Sequence, residues 1–180
     1  MIAITAEPID RARYAPYGAL VVAGDAATAR SANHGTAEAW DALAFLETLR
    51  GPEARCQTSL FRCHPWTAPS LPVLRLERHP RSTQLFAPMR ASRFLVVVAL
   101  GAADREAPDL ATLAAFVVEG PCAITYAPGV WHHPMVALDA PADFVNVLFA
   151  DGTDADCHEV EIAPGRARIA IPSRTSRPVS

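Results

Sequence analysis

Leu74-Arg75-Leu76-Glu77-Arg78-His79-Pro80-Arg81-Ser82-Thr83-Gln84-Leu85-Phe86-Ala87-Pro88 is the stretch whose reading decides the fold. Its period-2 alternation predicts a strand with Arg75, Glu77 and His79 on one face and Leu74, Leu76 and Arg78 on the other. If the Leu face packs against a second layer, Arg78 must snorkel or pair at its end. If the odd face lines a barrel interior, a carboxylate and an imidazole point together into a pocket. A turn at 80–83 then returns the chain past the first strand and delivers Gln84. Glu-x-His-x4-Gln has the spacing of a metal-binding strand pair, with two ligands one residue apart and a third from the returning strand.

The rest of the chain agrees with a β reading. Sixteen Pro and nine Gly punctuate short apolar runs, which predicts strands at 18–23, 58–63, 73–79, 94–100, 115–119, 123–126 and 144–149. Seven short strands in one domain indicate a sandwich or a barrel, so the fold class is all-β. Two helical signals stand apart. Trp40, Leu43, Leu46 or Glu47, and Leu49 recur at near-helical spacing within 36–50, before Gly51-Pro52. Asp109 caps a short turn through Leu113. The expected organisation is one domain over 1–168 and a loosely ordered polar tail over 169–180.

All sixteen basic residues are Arg. Without Lys there is no Walker-type phosphate loop, no Schiff base and no Lys general base. A net charge of −3 with mixed signs argues against nucleic acid as the main partner. The N-terminal residues show no basic and apolar secretory pattern. The longest apolar run, Phe94-Leu95-Val96-Val97-Val98-Ala99-Leu100, falls far short of the roughly 20 residues that span a bilayer. A soluble, cytoplasmic protein with no membrane partner is expected. Cys56, Cys63, Cys122 and Cys157 form no Cys-x-x-Cys pair and read as buried or inert thiols.

A second cluster is Tyr126-Ala127-Pro128-Gly129-Val130-Trp131-His132-His133-Pro134. Pro128-Gly129 is a strong turn signal that brings one His back over the sheet. Adjacent strand residues face opposite ways, so His132 and His133 do not both enter one pocket. Imidazole suits zinc, nickel, copper and iron, and a carboxylate widens the choice toward manganese.

The two clusters, in this order and with the Phe94–Ala99 run between them, resemble the ureidoglycolate lyase family. Ala15-Pro16-Tyr17-Gly18, Asn33-His34-Gly35-Thr36, Phe61-Arg62 and Glu159-Val160 extend the resemblance over nearly the whole chain. It implies a cupin-type double-stranded β-helix barrel, a homodimer, and a lyase that releases urea and glyoxylate from (S)-ureidoglycolate in allantoin and purine degradation. It also implies a divalent cation, nickel in particular, held by Glu77, His79, Gln84 and His132. The cation is weakly held, because Gln stands where cupins place a carboxylate. The second cupin motif ends in Gly-x-x-His, matched here by Gly129-Val130-Trp131-His132, which selects His132 over His133.

The reaction needs a base for the substrate hydroxyl, a proton for the leaving nitrogen and a cation for the carboxylate. Glu77 or His79 is the candidate base, and His132 or a water the candidate acid. Without Lys, carboxylate binding falls to Arg62 or Arg75, whose planar forks bind carboxylates bidentately. Asn33 and Tyr126 are candidate contacts to the ureido group. Tyr126 and Trp131 also read as wall or core residues, His64 and His158 as surface residues, and His34 and His133 as structural or supporting ones. Arg78, out of phase with Glu77, reads as a salt-bridge or dimer-contact residue. Leu148-Phe149-Ala150-Asp151-Gly152 replaces the family's usual Asp-Arg-Gly-Gly segment, which leaves open a diverged or non-catalytic cupin that binds a small carboxylic acid. A cupin isomerase or dioxygenase is disfavoured, because the full set of three His and one Glu is missing.

Overall fold

The computed structural model describes residues 1–24, 28–103 and 106–174. The N-terminal part contains β1 (Ile2–Thr5), β2 (Glu7–Pro8), one helical turn α1 (Arg11–Tyr14), β3 (Leu20–Val21), β4 (Arg30–Ala32), β5 (Ala37–Ala39) and β6 (Arg55–Cys63). The body adds β7 (Ser70–Pro72), β8 (Arg75–Arg78), β9 (Gln84–Arg90), β10 (Arg93–Ala99), β11 (Ala114–Glu119), β12 (Ala123–Tyr126), β13 (Trp131–His132) and β14 (Val136–Leu138). It closes with β15 (Ala142–Ala150), β16 (His158–Glu161) and β17 (Ala167–Ala170). Among the described residues no helix is long and apolar enough to cross a membrane.

Three layers result. The central sheet runs β16-β8-β13-β10-β11-β2, with β14 also paired to β10. A second sheet, β3-β12-β9-β15-β6, faces one side of it, and β1-β17-β7 covers the other. Every residue of β10 is buried, and the layering explains how an uninterrupted apolar run sits in a sheet. Phe94, Val96 and Val98 pack with Phe86, Ile124 and Phe144 toward the second sheet. Leu95, Val97 and Ala99 pack with Leu71, Val73 and Ile169 toward the covering sheet. The chain passes repeatedly between the central and second sheets, from β8 to β9, back to β10 and β11, across to β12, and back to β13. This is the jelly-roll alternation of a cupin-type barrel, all-β as the strand spacing predicts.

All seven predicted strand positions hold strands, and Asp109 caps the short 3-10 turn Leu110–Thr112 through the Ala111 N–H. The structure corrects three expectations. Residues 36–50 are not a helix: Ala42 has φ +54, a left-handed conformation that interrupts helical winding, while Phe45 and Leu49 are exposed. The strand after the 80–83 turn does not pair with β8; β9 instead pairs β12 and β15 in the facing sheet. The ordered chain also runs past 168, because β17 pairs β1 and β7 and buries Ile169 completely. Residues 175–180 of the expected tail lie outside the described residues. Of the four thiols, Cys122 is buried and Cys63 half-buried, whereas Cys56 and Cys157 are exposed.

Candidate functional site

The two sequence clusters meet on the central sheet. β13 lies between β8 and β10, with His132 opposite Glu77 on one side and Val98 on the other. Leu76 and Arg78 of β8 face the covering sheet. Leu76 is fully buried, and the Arg78 guanidinium lies 4.8 Å from the Trp131 ring centre, pairs with Glu106 at 3.3 Å and reaches His158 Nδ1 at 3.2 Å. Glu77 and His79 thereby turn toward the barrel interior, and Arg78 takes the ion-pairing role expected of it.

Gly129 makes the junction between the clusters possible. Its φ of +81 is a conformation that favours glycine, and its N–H donates to the His79 carbonyl at 2.9 Å. The turn that returns His132 to the central sheet is thus tied directly to the residue that follows β8.

Glu77, His79 and His132 present ligand atoms within 4.8 Å of one another. The His132 Nε2 is 3.4 Å from Glu77 Oε1. His79 Nδ1 lies 3.0 Å from the Asp156 carbonyl and His132 Nδ1 lies 3.0 Å from the Val130 carbonyl. A carbonyl only accepts, so both Nδ1 atoms carry a proton, which leaves Nε2 as the atom of each ring that is turned to the cluster in its neutral form. Such backbone fixing of the tautomer is how proteins prepare imidazoles for a metal. The rings of His79 and His132 stack at 5.8 Å, and Tyr126 from the facing sheet stacks on His132 at 4.0 Å.

A divalent cation fits this donor set. Gln84 Oε1, Tyr126 Oη and His132 Nε2 are buried without a hydrogen-bond partner among the described residues. Each such omission costs about 1–3 kcal/mol in a dry interior, and a bound cation or substrate recovers it. Gln84 and Tyr126 are register partners on β9 and β12, so the facing sheet supplies both.

Electrostatics sets the protonation states. Burial opposes the charge on Glu77, but His132, His79 and His133 together outweigh it and hold the carboxyl below its ordinary value. Burial lowers His79 and His133 below the ordinary imidazole value, and Glu77 opposes this in both. Burial, with Glu77 adding to it, pushes the Tyr126 hydroxyl far up, so it remains a donor. The Cys157 thiol, beside Glu77 and Glu159, is pushed up to about 11, first by burial and then by these carboxylates.

The lowered histidines give a pH dependence with a definite sign. Between the ordinary imidazole value, about 6.5, and the lower folded values, the unfolded chain binds more protons than the folded one. Stability then increases with pH across that interval. The metal-free protein is expected to keep its full thermal midpoint above about pH 6.5 and to lose it progressively as pH falls below. The Glu77 contribution persists until more acidic pH, below the ordinary carboxylate range. Calorimetric melts at pH 7.5 and 5.5 check the direction, and an unchanged or higher midpoint at 5.5 contradicts it.

The remaining candidates lie apart from this cluster. Arg62 is exposed on β6 and already engages both oxygens of Asp143, at 2.7 and 3.1 Å. Arg75 is exposed on β8, two residues from Glu77 on the same face, with Glu161 opposite it on β16. Asn33 sits in the exposed β4–β5 turn with φ +51, next to His34 at +57. His64 and His158 are exposed. Leu148 and Phe149 are half-buried on β15, opposite Gln57 and Cys56 of β6. Two contributors lie outside the sequence reading: the Asp156 carbonyl that orients His79, and Arg50, which reaches Asp156 and Asp151. Neither has a motif, because a loop carbonyl and a buried ion pair leave no spacing signature.

Residues 1–169 match the family described as ureidoglycolate lyase. A ureidoglycolate lyase of Burkholderia cepacia is 37% identical over 157 residues, 87% of this chain and 84% of that protein. One from Escherichia coli O139:H28 is 39% identical over 132 residues, 73% of this chain and 77% of that protein. Among solved structures, a dTDP sugar isomerase from Desulfovibrio desulfuricans G20 aligns with 73% of this chain and 78% of its own, at 18% identity and a TM-score of 0.43. With a match across both clusters and most of the strands that bring them together, the chain belongs to the ureidoglycolate lyase family.

Proposed function

We propose that this protein releases urea and glyoxylate from (S)-ureidoglycolate, and the observation that carries this reading is the Glu77 carboxylate, held below its ordinary value, set within reach of the His79 and His132 imidazoles inside the barrel. The substrate is a carbinolamide. Loss of its hydroxyl proton lets the C–O bond become a carbonyl while the C–N bond breaks and its electron pair passes to the leaving nitrogen. That nitrogen needs one proton, so the step is balanced by moving a single proton from oxygen to nitrogen. Glu77 takes the hydroxyl proton on its carboxylate and returns it to the nitrogen, a carboxylate's usual acid–base duty.

His79 and His132, with Gln84 supplied from the facing sheet, would hold a divalent cation such as nickel. Such an ion, when bound, supplies positive charge that makes a nearby hydroxyl more acidic. Tyr126 donates its hydroxyl to the ureido oxygen. Arg75 binds the substrate carboxylate: it shares the Glu77 face about 7 Å along the strand, whereas the Arg62 fork is already taken by Asp143. Asn33, in the exposed β4–β5 turn, is assigned to the ureido group. A cytoplasmic homodimer acting in allantoin breakdown completes the proposal.

The test is glyoxylate formation from (S)-ureidoglycolate by the purified protein, with and without nickel or manganese. Turnover above the spontaneous rate, increased by the cation, supports the reading. Turnover no faster than spontaneous decay overturns it. The apolar Leu148-Phe149 pair on β15 favours the alternative of a diverged cupin that binds a small acid without turnover, and calorimetry with glycolate distinguishes the two.

A further inference from the structure

The segment expected to be a helix has another use. Around residues 47–50 it lies antiparallel to 81–83, the crossover that joins His79 to Gln84. Leu49 N–H donates to Arg81 O at 2.7 Å, Thr83 N–H donates to Glu47 O at 2.9 Å, and Glu47 N–H donates to Thr83 Oγ1 at 3.1 Å. Thr48 and Ser82 form a β-bridge. The segment therefore straps the turn whose two ends carry candidate cation ligands.

Its last residue points inward. The Arg50 side chain is only 3% exposed, engages Asp151 Oδ2, and lies 3.5 Å from Asp156 Oδ2. Asp156, itself 4% exposed, belongs to the loop between β15 and β16, outside any strand ladder. Its Oδ1 accepts the Arg81 N–H at 2.7 Å, and its carbonyl accepts the His79 Nδ1–H at 3.0 Å. Asp151 also caps its own loop, accepting from Thr153 N–H at 3.0 Å and Thr153 Oγ1–H at 2.6 Å. A buried guanidinium between two carboxylates has no water to replace either partner, so removing it leaves uncompensated negative charge in the loop.

We infer that Arg50 is a positioning residue: by holding Asp151 and Asp156 it fixes the loop carbonyl that sets the tautomer and orientation of the His79 imidazole. This rests on the reading of His79 as a cation ligand only for its consequence, not for the geometry. Partners that orient a ligating imidazole are worth 10–100-fold in metal affinity in other proteins. Arg50 acts one step further out, through the carbonyl.

The experiment uses the full chain with Arg50→Met, Arg50→Lys and Asp156→Asn, and Arg30→Met as a control that breaks the exposed Arg30–Asp41 pair. Long-range proton–nitrogen spectra of the histidine rings, recorded on cation-free protein, are the primary readout. The wild type shows His79 as a single Nδ1–H tautomer, and Arg50→Met and Asp156→Asn show a mixture of tautomers. Arg50→Lys, which keeps the charge, restores the wild-type pattern in part, and Arg30→Met leaves it unchanged. Nickel titration by calorimetry then shows about 10-fold weaker binding for Arg50→Met. Wild-type protein that binds no cation counts against the lyase reading but leaves the ring spectra to decide this one. A single, unchanged His79 tautomer in Arg50→Met overturns the inference. If that variant does not fold, an unchanged tautomer in both Arg50→Lys and Asp156→Asn overturns it instead.

Discussion

Replacing Glu77 by Gln is expected to lower kcat about 1,000-fold, within the range by which a positioned acid or base accelerates a reaction, while the fold is kept. The side chain keeps its size, and its neighbours on β13 and β16 keep their register, His132 and Glu159 lying opposite it. What is lost is the charge. The Glu77 carboxyl is held below its ordinary value against its burial, chiefly by His132, and an amide at the same place cannot take up a proton. KM for ureidoglycolate is expected to change less than kcat, since the carboxylate of the substrate is held elsewhere. Steady-state glyoxylate release by wild type and Glu77→Gln, each saturated with nickel, checks this. A fall of less than about tenfold, well under the usual range for general acid–base groups, removes Glu77 from the role of base. A non-catalytic acid-binding cupin would show no turnover in either protein and nearly equal affinity for the acid.

The second large effect concerns the barrel itself. Phe94→Ala is expected to cost about 3–5 kcal/mol, the usual penalty for deleting a fully buried phenyl ring. Phe94 is completely buried and meets Phe144 of the facing sheet edge-on at 5.1 Å. Its loss opens a cavity between the two sheets that cannot collapse without moving β15. For a domain of this size each kcal/mol lowers the midpoint by about 2–4 °C, so a fall of about 6–20 °C is expected. Met89→Ala on the exposed end of β9 is expected to change the midpoint by no more than 2 °C, as surface substitutions stay within about 0.5 kcal/mol. Thermal melts of both variants check the pair, and equal effects would contradict the placement of Phe94 at the junction of the sheets.

Much of the site was legible locally. Glu77 and His79 share a strand face by alternation alone, and Pro128-Gly129 announces the turn that returns His132. The arrangement of the 80–83 turn was not. Alternation places residues on faces but does not tell which sheet the next strand joins, and the crossover is decided by Thr83, Ser82 and Arg81 bonding to residues 47–49, Phe149 and Asp156. The helical reading of 36–50 failed for the same reason. Near-helical spacing of Leu43, Leu46 and Leu49 has force only when one face can be buried, whereas this segment places its backbone hydrogen bonds on the crossover and leaves Leu49 in water. Arg62 also looked like a free carboxylate fork until β6 and β15 paired and set Asp143 directly opposite it.

The amino-acid sequence by itself determined that the chain is all-β, that Arg stands wherever Lys or Arg could, and that a carboxylate and imidazoles are spaced to meet. These follow from composition and from the two-residue period of a strand, which are properties of neighbours along the chain. The tertiary structure alone decided that His132 lies between Glu77 and Val98, that Gln84 and Tyr126 come from the opposite sheet, and that a loop carbonyl held through Arg50 and Asp156 faces His79. The physical reason is that partners across a sheet or between layers are chosen by long-range packing and by satisfaction of buried polar groups, and neither leaves a periodic trace in the residues nearby.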